Sequence, residues 1–363
     1  MRLRHHSGRV VHLSHGANVR PARDLPAVVE HLDAYAAVRD RLGVETLGVS
    51  LWLPPTLAAA LAIDGRSRTR LRAEIEARGL EVVTLSGVPY AEGGDEDPDW
   101  SHPARLEYTL DLARILTDLL PEDAVRGAVT TTGLGPRAGW DAAKQKAADR
   151  ILSRLSAGLA EVAWHQGRAV RVGFQPAPGL MLDGVESIVG AFARLDRERL
   201  GVCLDLAALA CTWEEPIGVL DRLATAGISI IRVQVAAALE AADPVAAAER
   251  LRGYAEPGRR HPVTNPDGGH AGDLTEALEG TLPGPWRVLC PVPLHNPPGP
   301  PLAATTEVWR AALRHLTTEG SVGTEHLDVE TSGRDDAAAQ IAYAKSALGE
   351  LGLSPPAEAW AVH

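Results

Sequence analysis

The 363-residue chain has little cysteine, and its three thiols do not form a recognisable framework. Cys203, Cys211 and Cys290 are an odd number, widely spaced and set among apolar residues, and no CxxC pair occurs. This pattern excludes a disulfide scaffold and a zinc ribbon. We therefore expect reduced thiols in the core of a cytoplasmic protein.

The chain also lacks a block of positive charge and a long apolar run. Its formal net charge is -11 at pH 7, so its long-range field repels phosphate backbones and anionic lipids. No uncharged stretch is long enough to span a bilayer, and the first residues lack the apolar run of a signal peptide. We expect no nucleic-acid partner and no membrane span.

What the sequence does contain is an alternation of short β-branched runs with longer segments of helical period. Nine runs predict strands: VVHLS, TLGVSL, EVVTLS, GAVTTT, VRVGFQ, GVCLDL, IIRVQV, WRVLCPV and HLDVET. Strands that are apolar on both faces and are followed by helices predict a parallel sheet. About eight such units over this length favour a TIM (β/α)8 barrel above an open doubly wound sheet. The first strand also lacks the Gly-rich fingerprint of dinucleotide-binding sheets.

The largest irregularity lies before the last two runs. Residues of about 236–285 include the segment EPGRRHPVTNPDGGHAGD, and loops of that length are usually functional or disordered. No repeat or low-complexity linker divides the chain. We expect residues 1–363 to form a single TIM-barrel domain with an irregular insertion, in which either WRVLCPV or HLDVET closes the ring.

Polar residues at strand ends are the candidates for function, because TIM barrels carry their chemistry at the C-terminal ends of the strands. Gln175, Asp205, Gln234 and Glu330 end four of the later strands and would form a ring. Asp205 and Glu330 are candidate ligands of Mn²⁺, Zn²⁺ or Mg²⁺, which could polarise a carbonyl and an adjacent hydroxyl. The two glutamines, as neutral amides, would bind substrate or hydrogen-bond the two acids across a polar barrel mouth.

Two histidines are candidates for acid–base catalysis. His12 lies in the first strand, and His295 follows CPVPL and precedes a Pro-Gly loop. A histidine that meets a carboxylate can transfer protons without a metal, although His12 would equally suit a hydrogen bond to a neighbouring strand. Asn18 and Tyr90, which follow the first and third strands, are candidate substrate-binding residues.

Several motifs taken together resemble the metabolite traffic protein EboE family. They are NVRPARDL, RVGFQPAPG, GVCLDL, RVQVAAAL, VPLH and LDVET, and the resemblance covers nearly the whole chain. It implies a xylose-isomerase-like TIM barrel, a group that includes sugar isomerases and epimerases, and a place in a bacterial operon that exports or processes a natural-product precursor. It implies a small-molecule metabolite and other proteins of the same operon as partners. By this resemblance the four strand-end residues occupy positions where such barrels carry metal ligands.

The sequence departs from the family pattern at the predicted mouth. FEPEPG becomes FQPAPG, so Gln175 and Ala177 replace two carboxylates, and Ala207 and Ala208 replace the Cys-His that follows the aspartate. Helix and core motifs persist, whereas random drift would change loops and surfaces at least as much as the site. The resemblance therefore implies a member with altered or lost chemistry.

Three functions stay open at this point. The chain could be a metal-dependent isomerase or epimerase-like enzyme on a small polyhydroxylated or cyclic metabolite, with Asp205 and Glu330 as ligands. It could be a non-catalytic metabolite-binding or scaffold protein of the same fold. It could also be a metal-free enzyme in which His12 or His295 works with Asp205. The distances between these side chains discriminate among the three.

Overall fold

The computed structural model describes residues 1–17, 22–88, 98–256, 259–318, 323–331 and 336–355. The strands are β1 (Arg2–Arg4), β2 (Val10–Ala17), β3 (Leu47–Trp52), β4 (Leu80–Ser86), β5 (Arg126–Thr132), β6 (Ala169–Gln175), β7 (Leu200–Asp205), β8 (Ile230–Val235), β9 (Ala237–Ala241), β10 (Val263–Thr264), β11 (His270–Ala271), β12 (Trp286–Val292), β13 (Ala303–Ala304) and β14 (His326–Thr331). The helices are α1 (Leu25–Leu42), α2 (Pro55–Ile63), α3 (Gly65–Ala77), α4 (Pro103–Leu119), α5 (Ala142–Gln166), α6 (Val185–Phe192), α7 (Leu206–Cys211), α8 (Pro216–Thr225), α9 (Pro244–Arg252), α10 (Leu274–Glu279), α11 (Thr306–Thr318) and α12 (Ala337–Glu350).

Eight parallel strands, β2 to β8 and β14, close into a barrel surrounded by helices, which confirms the predicted TIM barrel. Closure occurs where β2 pairs with β3 on one side and with β14 on the other. HLDVET is therefore the strand that closes the ring. Every residue of β4, β7 and β14 is buried, as expected for strands that face the barrel interior on one side and helices on the other.

Helix α5 shows how the sequence builds the outer layer. The Asp141 carboxylate caps its first turn by accepting a hydrogen bond from the Lys144 backbone N–H, and Gly167 ends it with a left-handed φ of 66°. The residues of its apolar stripe, spaced three and four apart, are buried against the barrel: Ala148, Ile151, Leu152, Leu155, Leu159 and Val162.

The predicted irregular insertion instead contains a second sheet, and this sheet extends past residue 285. Five strands form it in the order β11-β10-β12-β9-β13, so WRVLCPV, as β12, belongs here and not to the barrel. Three of these strands are only two residues long, which is too short for a visible alternation in the sequence. In β12, Pro291 lies where the register shifts, at the kind of irregularity that tolerates proline within a strand.

The second sheet packs next to the end of β7. Ala207, Ala210 and Cys211 of α7 form a small apolar cluster with Ala236 and Ala238 at the start of the insertion. The Arg287 guanidinium donates a hydrogen bond to the Ala210 carbonyl at 2.8 Å. The insertion is therefore fixed at the barrel mouth, beside Asp205.

All three cysteines are buried and unpaired in the structure. Within the residues described, no helix is both long enough and apolar enough to cross a membrane.

Candidate functional site

Four strand-end side chains converge at the mouth of the barrel. The Gln175 amide donates a hydrogen bond to Asp205 Oδ2 at 3.2 Å, and the Gln234 amide donates one to Glu330 Oε2 at 2.5 Å. Asp205 and Gln234 are register partners on β7 and β8. The four residues that were predicted to form a ring thus lie together in the structure. They form two amide–carboxyl pairs.

Asp205 is held by its own backbone. Strand β7 passes directly into α7, and Asp205 is the N-cap residue between them. Its Oδ1 accepts hydrogen bonds from the Ala207 and Ala208 backbone N–H groups at 2.9 and 3.2 Å. With Gln175 on Oδ2, both oxygens of this buried carboxyl have protein donors.

The two carboxyls influence each other's protonation. Burial raises the pKa of Asp205, against the hydrogen bonds from Ala208, Ala207 and Gln175. Burial and then the charge of Asp205 raise the pKa of Glu330 to about 7, against the hydrogen bond from Gln234. Near neutral pH the pair therefore holds a proton on Glu330 in part of the molecules, so the mouth can donate as well as accept hydrogen bonds.

This raised pKa predicts a pH-dependent effect of Glu330→Gln. Between the usual glutamate pKa of 4.5 and the folded-state value of about 7, the folded chain binds more protons than the unfolded chain. Stability from this group is therefore lost as the pH rises through that window. Glutamine does not titrate, so the variant does not lose this stability. Relative to the parent it should gain stability between about pH 5 and pH 8, on the order of 2 kcal/mol.

Urea unfolding of the parent and of Glu330→Gln at about pH 5 and about pH 8 measures this gain in stability. Glu107→Gln, an exposed position on α4, is the matched control and should show no pH-dependent difference from the parent. A Glu330→Gln variant whose stability relative to the parent is the same at both pH values would contradict the raised pKa.

The donor set at the mouth does not fit a tightly bound divalent ion. In the part of the chain that the structure describes, no group of three or more His, Cys, Asp or Glu side chains is arranged to hold a metal. The two carboxyls instead accept hydrogen bonds from Gln175, Gln234 and two backbone N–H groups. A divalent ion would have to displace these donors and would gain only two carboxylates.

His295 lies beside the end of β14 and is held there by Gln340. Gln340 Oε1 accepts hydrogen bonds from the Leu294 backbone N–H at 2.7 Å and from His295 Nδ1 at 3.0 Å, while its Nε2 donates to the Glu330 carbonyl at 3.2 Å. Because Nδ1 donates, Nε2 of the neutral ring is left as an acceptor. His295 therefore joins the mouth through Gln340, at the backbone of Glu330.

His12 lies apart from these residues, near the opposite end of the barrel. It is the register partner of His326, the first residue of β14, and the two rings stack with centroids 5.7 Å apart. Burial lowers the pKa of His12. Among the described residues, no hydrogen bond joins His12 or His295 to the side chain of Asp205 or Glu330, so the geometry does not favour a histidine–aspartate pair. The other two candidates, Asn18 and Tyr90, fall outside the described residues.

The insertion contains a cavity whose lining residues were not among the predicted site residues. A cavity of about 630 Å³ is lined by Arg250, Tyr254, Arg259, His261, Cys290 and Pro293, among others. The charge of Arg259 lowers the pKa of Glu330, against burial and the charge of Asp205, so this cavity is coupled electrostatically to the acid pair. His261 is 2% exposed, and its Nε2 has no hydrogen-bond partner among the described residues. The run GRRHP carried the signal, since cationic and titratable side chains in a long loop between barrel strands often line a site.

Comparisons with known proteins bear on the fold. No protein-family model matches the sequence, and no curated protein matches it. Among solved structures, a xylose isomerase domain protein from Planctomyces limnophilus is 15% identical with a TM-score of 0.52, covering 94% of this chain and 97% of that one.

Two further solved structures are similar to the same extent. A xylose isomerase-like TIM barrel protein from Mycobacterium smegmatis, in complex with magnesium, is 15% identical with a TM-score of 0.53, covering 93% of this chain and 96% of that one. A D-tagatose 3-epimerase-like protein is 14% identical with a TM-score of 0.53, covering 93% and 98%. These likenesses show that the chain has the fold of the xylose-isomerase-like TIM barrels.

Proposed function

We propose that this chain is an EboE-like metabolite traffic or processing protein whose barrel mouth binds a small polyhydroxylated or cyclic metabolite, with the metal chemistry of its fold altered or lost. The observation that supports this is the pair of amide–carboxyl contacts, Gln175 with Asp205 and Gln234 with Glu330. In these contacts amide N–H groups donate to the carboxyl oxygens that a metal ion would otherwise bind.

The arrangement suits hydroxyl and carbonyl groups of a ligand. A carboxyl that is partly protonated near neutral pH, such as Glu330, can donate or accept a hydrogen bond, while Asp205 accepts. The cavity of the insertion adds Arg259 and the unpartnered Nε2 of His261, beside the acidic Glu249 and Glu256. A metabolite with several hydroxyls would satisfy these groups together, as ligand sites commonly combine a few convergent polar groups in a cleft.

The similar solved structures support the class of ligand. One is described as a D-tagatose 3-epimerase-like protein, and two others as a xylose isomerase domain protein and a xylose isomerase-like TIM barrel protein. A mouth on this scaffold that keeps its acids while losing metal ligands would retain recognition of sugar-like compounds. The operon role and its protein partners are part of the same proposal and rest on the motif resemblance.

The proposal is tested by thermal melting with D-fructose, D-tagatose and myo-inositol as probes, each with and without EDTA. We expect at least one probe to raise the melting temperature, and the rise to be unchanged by EDTA. A rise that disappears with EDTA and returns with Mn²⁺ or Mg²⁺ would contradict the loss of metal chemistry. No rise with any probe would contradict a sugar-like ligand.

Asp205→Asn should weaken binding of the active probe by about tenfold, because the charged acceptor at the mouth becomes a neutral amide. Asparagine can still cap α7, so the folded structure should persist. The matched control is Asp243→Asn, which replaces the N-cap residue of α9. Titration calorimetry should show weaker binding only in Asp205→Asn, and equal binding by both variants would remove Asp205 from the site.

A further inference from the structure

A second cavity, of about 430 Å³, lies at the end of the barrel opposite the mouth. The first residues of three barrel strands line it, namely Arg126 of β5, Ile230 of β8 and His326 of β14. Arg171 of β6 lines it as well, and α8 and α11 form its outer wall. None of these residues belongs to the mouth.

Positive charge is concentrated in this cavity. Arg9, Arg126 and Arg171 line it, and among the described residues of its lining Glu325 is the only acidic one. Glu325 pairs with Arg126 at 2.9 Å and with Arg9 at 3.2 Å. Among the described lining residues, three guanidinium groups therefore stand against one carboxylate, in a chain whose net charge is -11.

Arg171 is the guanidinium that Glu325 does not bind directly. Its Nη2 donates a long hydrogen bond of 3.5 Å to the Arg197 carbonyl, and its buried Nε has no hydrogen-bond partner among the described residues. Arg126 and Arg171 lie two register positions apart on the same side of the neighbouring strands β5 and β6, and both line the cavity. Burial and then the charge of Arg126 lower the pKa of Arg171, against the charges of Glu325, Glu198 and Asp196. Two adjacent guanidinium groups in a partly buried place favour an anion between them.

His326 supplies an independent observation. It is 2% exposed, it lines the cavity, and neither of its ring nitrogens has a hydrogen-bond partner within the described residues. A buried polar group without a partner is destabilising, so a ligand atom that accepts its hydrogen bond is favoured there. Burial lowers the pKa of His326 well below its usual value, with His12, Arg232, Arg126 and Arg171 adding to the effect, so the ring is neutral and carries one N–H donor.

The rest of the wall is partly polar, with Ser229, His315 and Thr324, and partly aliphatic. Its aliphatic side chains come from α8, the start of β8 and α11, and they are Leu220, Ala224, Ile228, Ile230, Ile231 and Leu316. The cavity therefore combines a cationic end with an aliphatic wall, and its volume exceeds that of a single inorganic anion.

We propose that this cavity binds a small organic anion, in which a phosphate or carboxylate group meets Arg126, Arg171 and the His326 N–H, and a short aliphatic body lies against Leu220 and Leu316. Phosphate and carboxylate oxygens are the acceptors that guanidinium groups bind most strongly. The site is separate from the barrel mouth and does not depend on the function proposed for the mouth.

Titration calorimetry with inorganic phosphate, butyl phosphate and butyrate tests this site at low ionic strength and neutral pH. We expect saturable binding of at least one butyl-bearing anion, tighter than that of inorganic phosphate because the aliphatic wall contributes. The tighter of butyl phosphate and butyrate identifies the anionic group. No saturable binding of any of the three would overturn the proposal.

Arg171→Gln should weaken this binding by about tenfold, which is the contribution of one charge-assisted hydrogen bond. The matched control is Arg114→Gln on α4, whose guanidinium is 47% exposed and pairs with Asp111. Equal weakening in both variants, which indicates a general charge effect, would overturn the site.

Nuclear magnetic resonance of the His326 ring gives a second measurement in the unmodified protein, in case Arg171→Gln does not fold. The ring ¹⁵N signals should shift on addition of the bound anion and saturate with it. Signals that stay constant while the anion binds would place the anion elsewhere on the protein.

Discussion

Replacing Asp328 by alanine is expected to destabilise the barrel by about 3–5 kcal/mol, since it leaves a charged guanidinium buried without its carboxylate. Arg232 Nη2 and Asp328 Oδ2 are 2.5 Å apart, and the two side chains are 5% and 0% exposed. Thr84 Oγ1 donates to Asp328 Oδ2 at 3.1 Å, and Arg232 Nη1 donates to Thr130 Oγ1 at 2.7 Å. The pair thus crosslinks four barrel strands through its interior.

Urea unfolding of Asp328→Ala measures the loss, and a second variant separates the burial of charge from the loss of packing. Arg232→Met combined with Asp328→Leu removes both charges and keeps apolar volume. Because replacing a buried ion pair by apolar groups is often neutral or stabilising, the double variant should be more stable than Asp328→Ala alone. A loss below about 1 kcal/mol for Asp328→Ala would show that the pair is not isolated from water.

The barrel itself could be predicted because its strands carry a strong local signal. Runs such as GVCLDL are apolar on both faces, and the structure buries all of their residues between the interior and the helices. The Arg232–Asp328 pair could not be predicted in the same way. Both residues lie within apolar runs, and the register of β14 with β8 pairs Asp328 with Gln234, two residues along β8 from Arg232. Their contact is a diagonal one that only the three-dimensional structure shows.

The same distinction holds at the site. Gln175, Asp205, Gln234 and Glu330 meet because each ends a parallel strand, and strand ends can be read from the sequence. The position of His12 was harder to predict, because it depends on which residue begins β2. In the structure β2 begins only two residues before His12, so His12 lies near the end of the barrel opposite the mouth. Arg259 and His261 line one cavity through the tertiary folding of the insertion, which strand periodicity does not describe. The roles assigned to these residues stay predictions.

Replacing Gln175 by glutamate is expected to produce a divalent-ion response that the parent lacks. The new carboxylate would stand about where the amide lies now, 3.2 Å from Asp205 Oδ2, and Glu330 is near enough to interact with Asp205. Without metal, three acids at one buried site repel each other, so the variant should lose stability as the pH rises from about 5 to about 8. With Mn²⁺, a third carboxylate replaces a neutral dipole with a full negative charge.

This exchange should raise affinity for Mn²⁺ by about two decades relative to the parent, or about 2.8 kcal/mol. Thermal melting at about pH 8 with and without Mn²⁺ measures both effects, since an ion that binds only the folded state raises its melting temperature. Gln145→Glu is the matched control, because Gln145 also donates to a carboxylate, Asp149 at 2.9 Å, but on the exposed face of α5. Water screens the added charge there, so the control should show little pH or Mn²⁺ response. If the parent already gains as much from Mn²⁺ as Gln175→Glu does, the amide at this position has not removed metal binding, and the mouth has kept the metal chemistry of its fold.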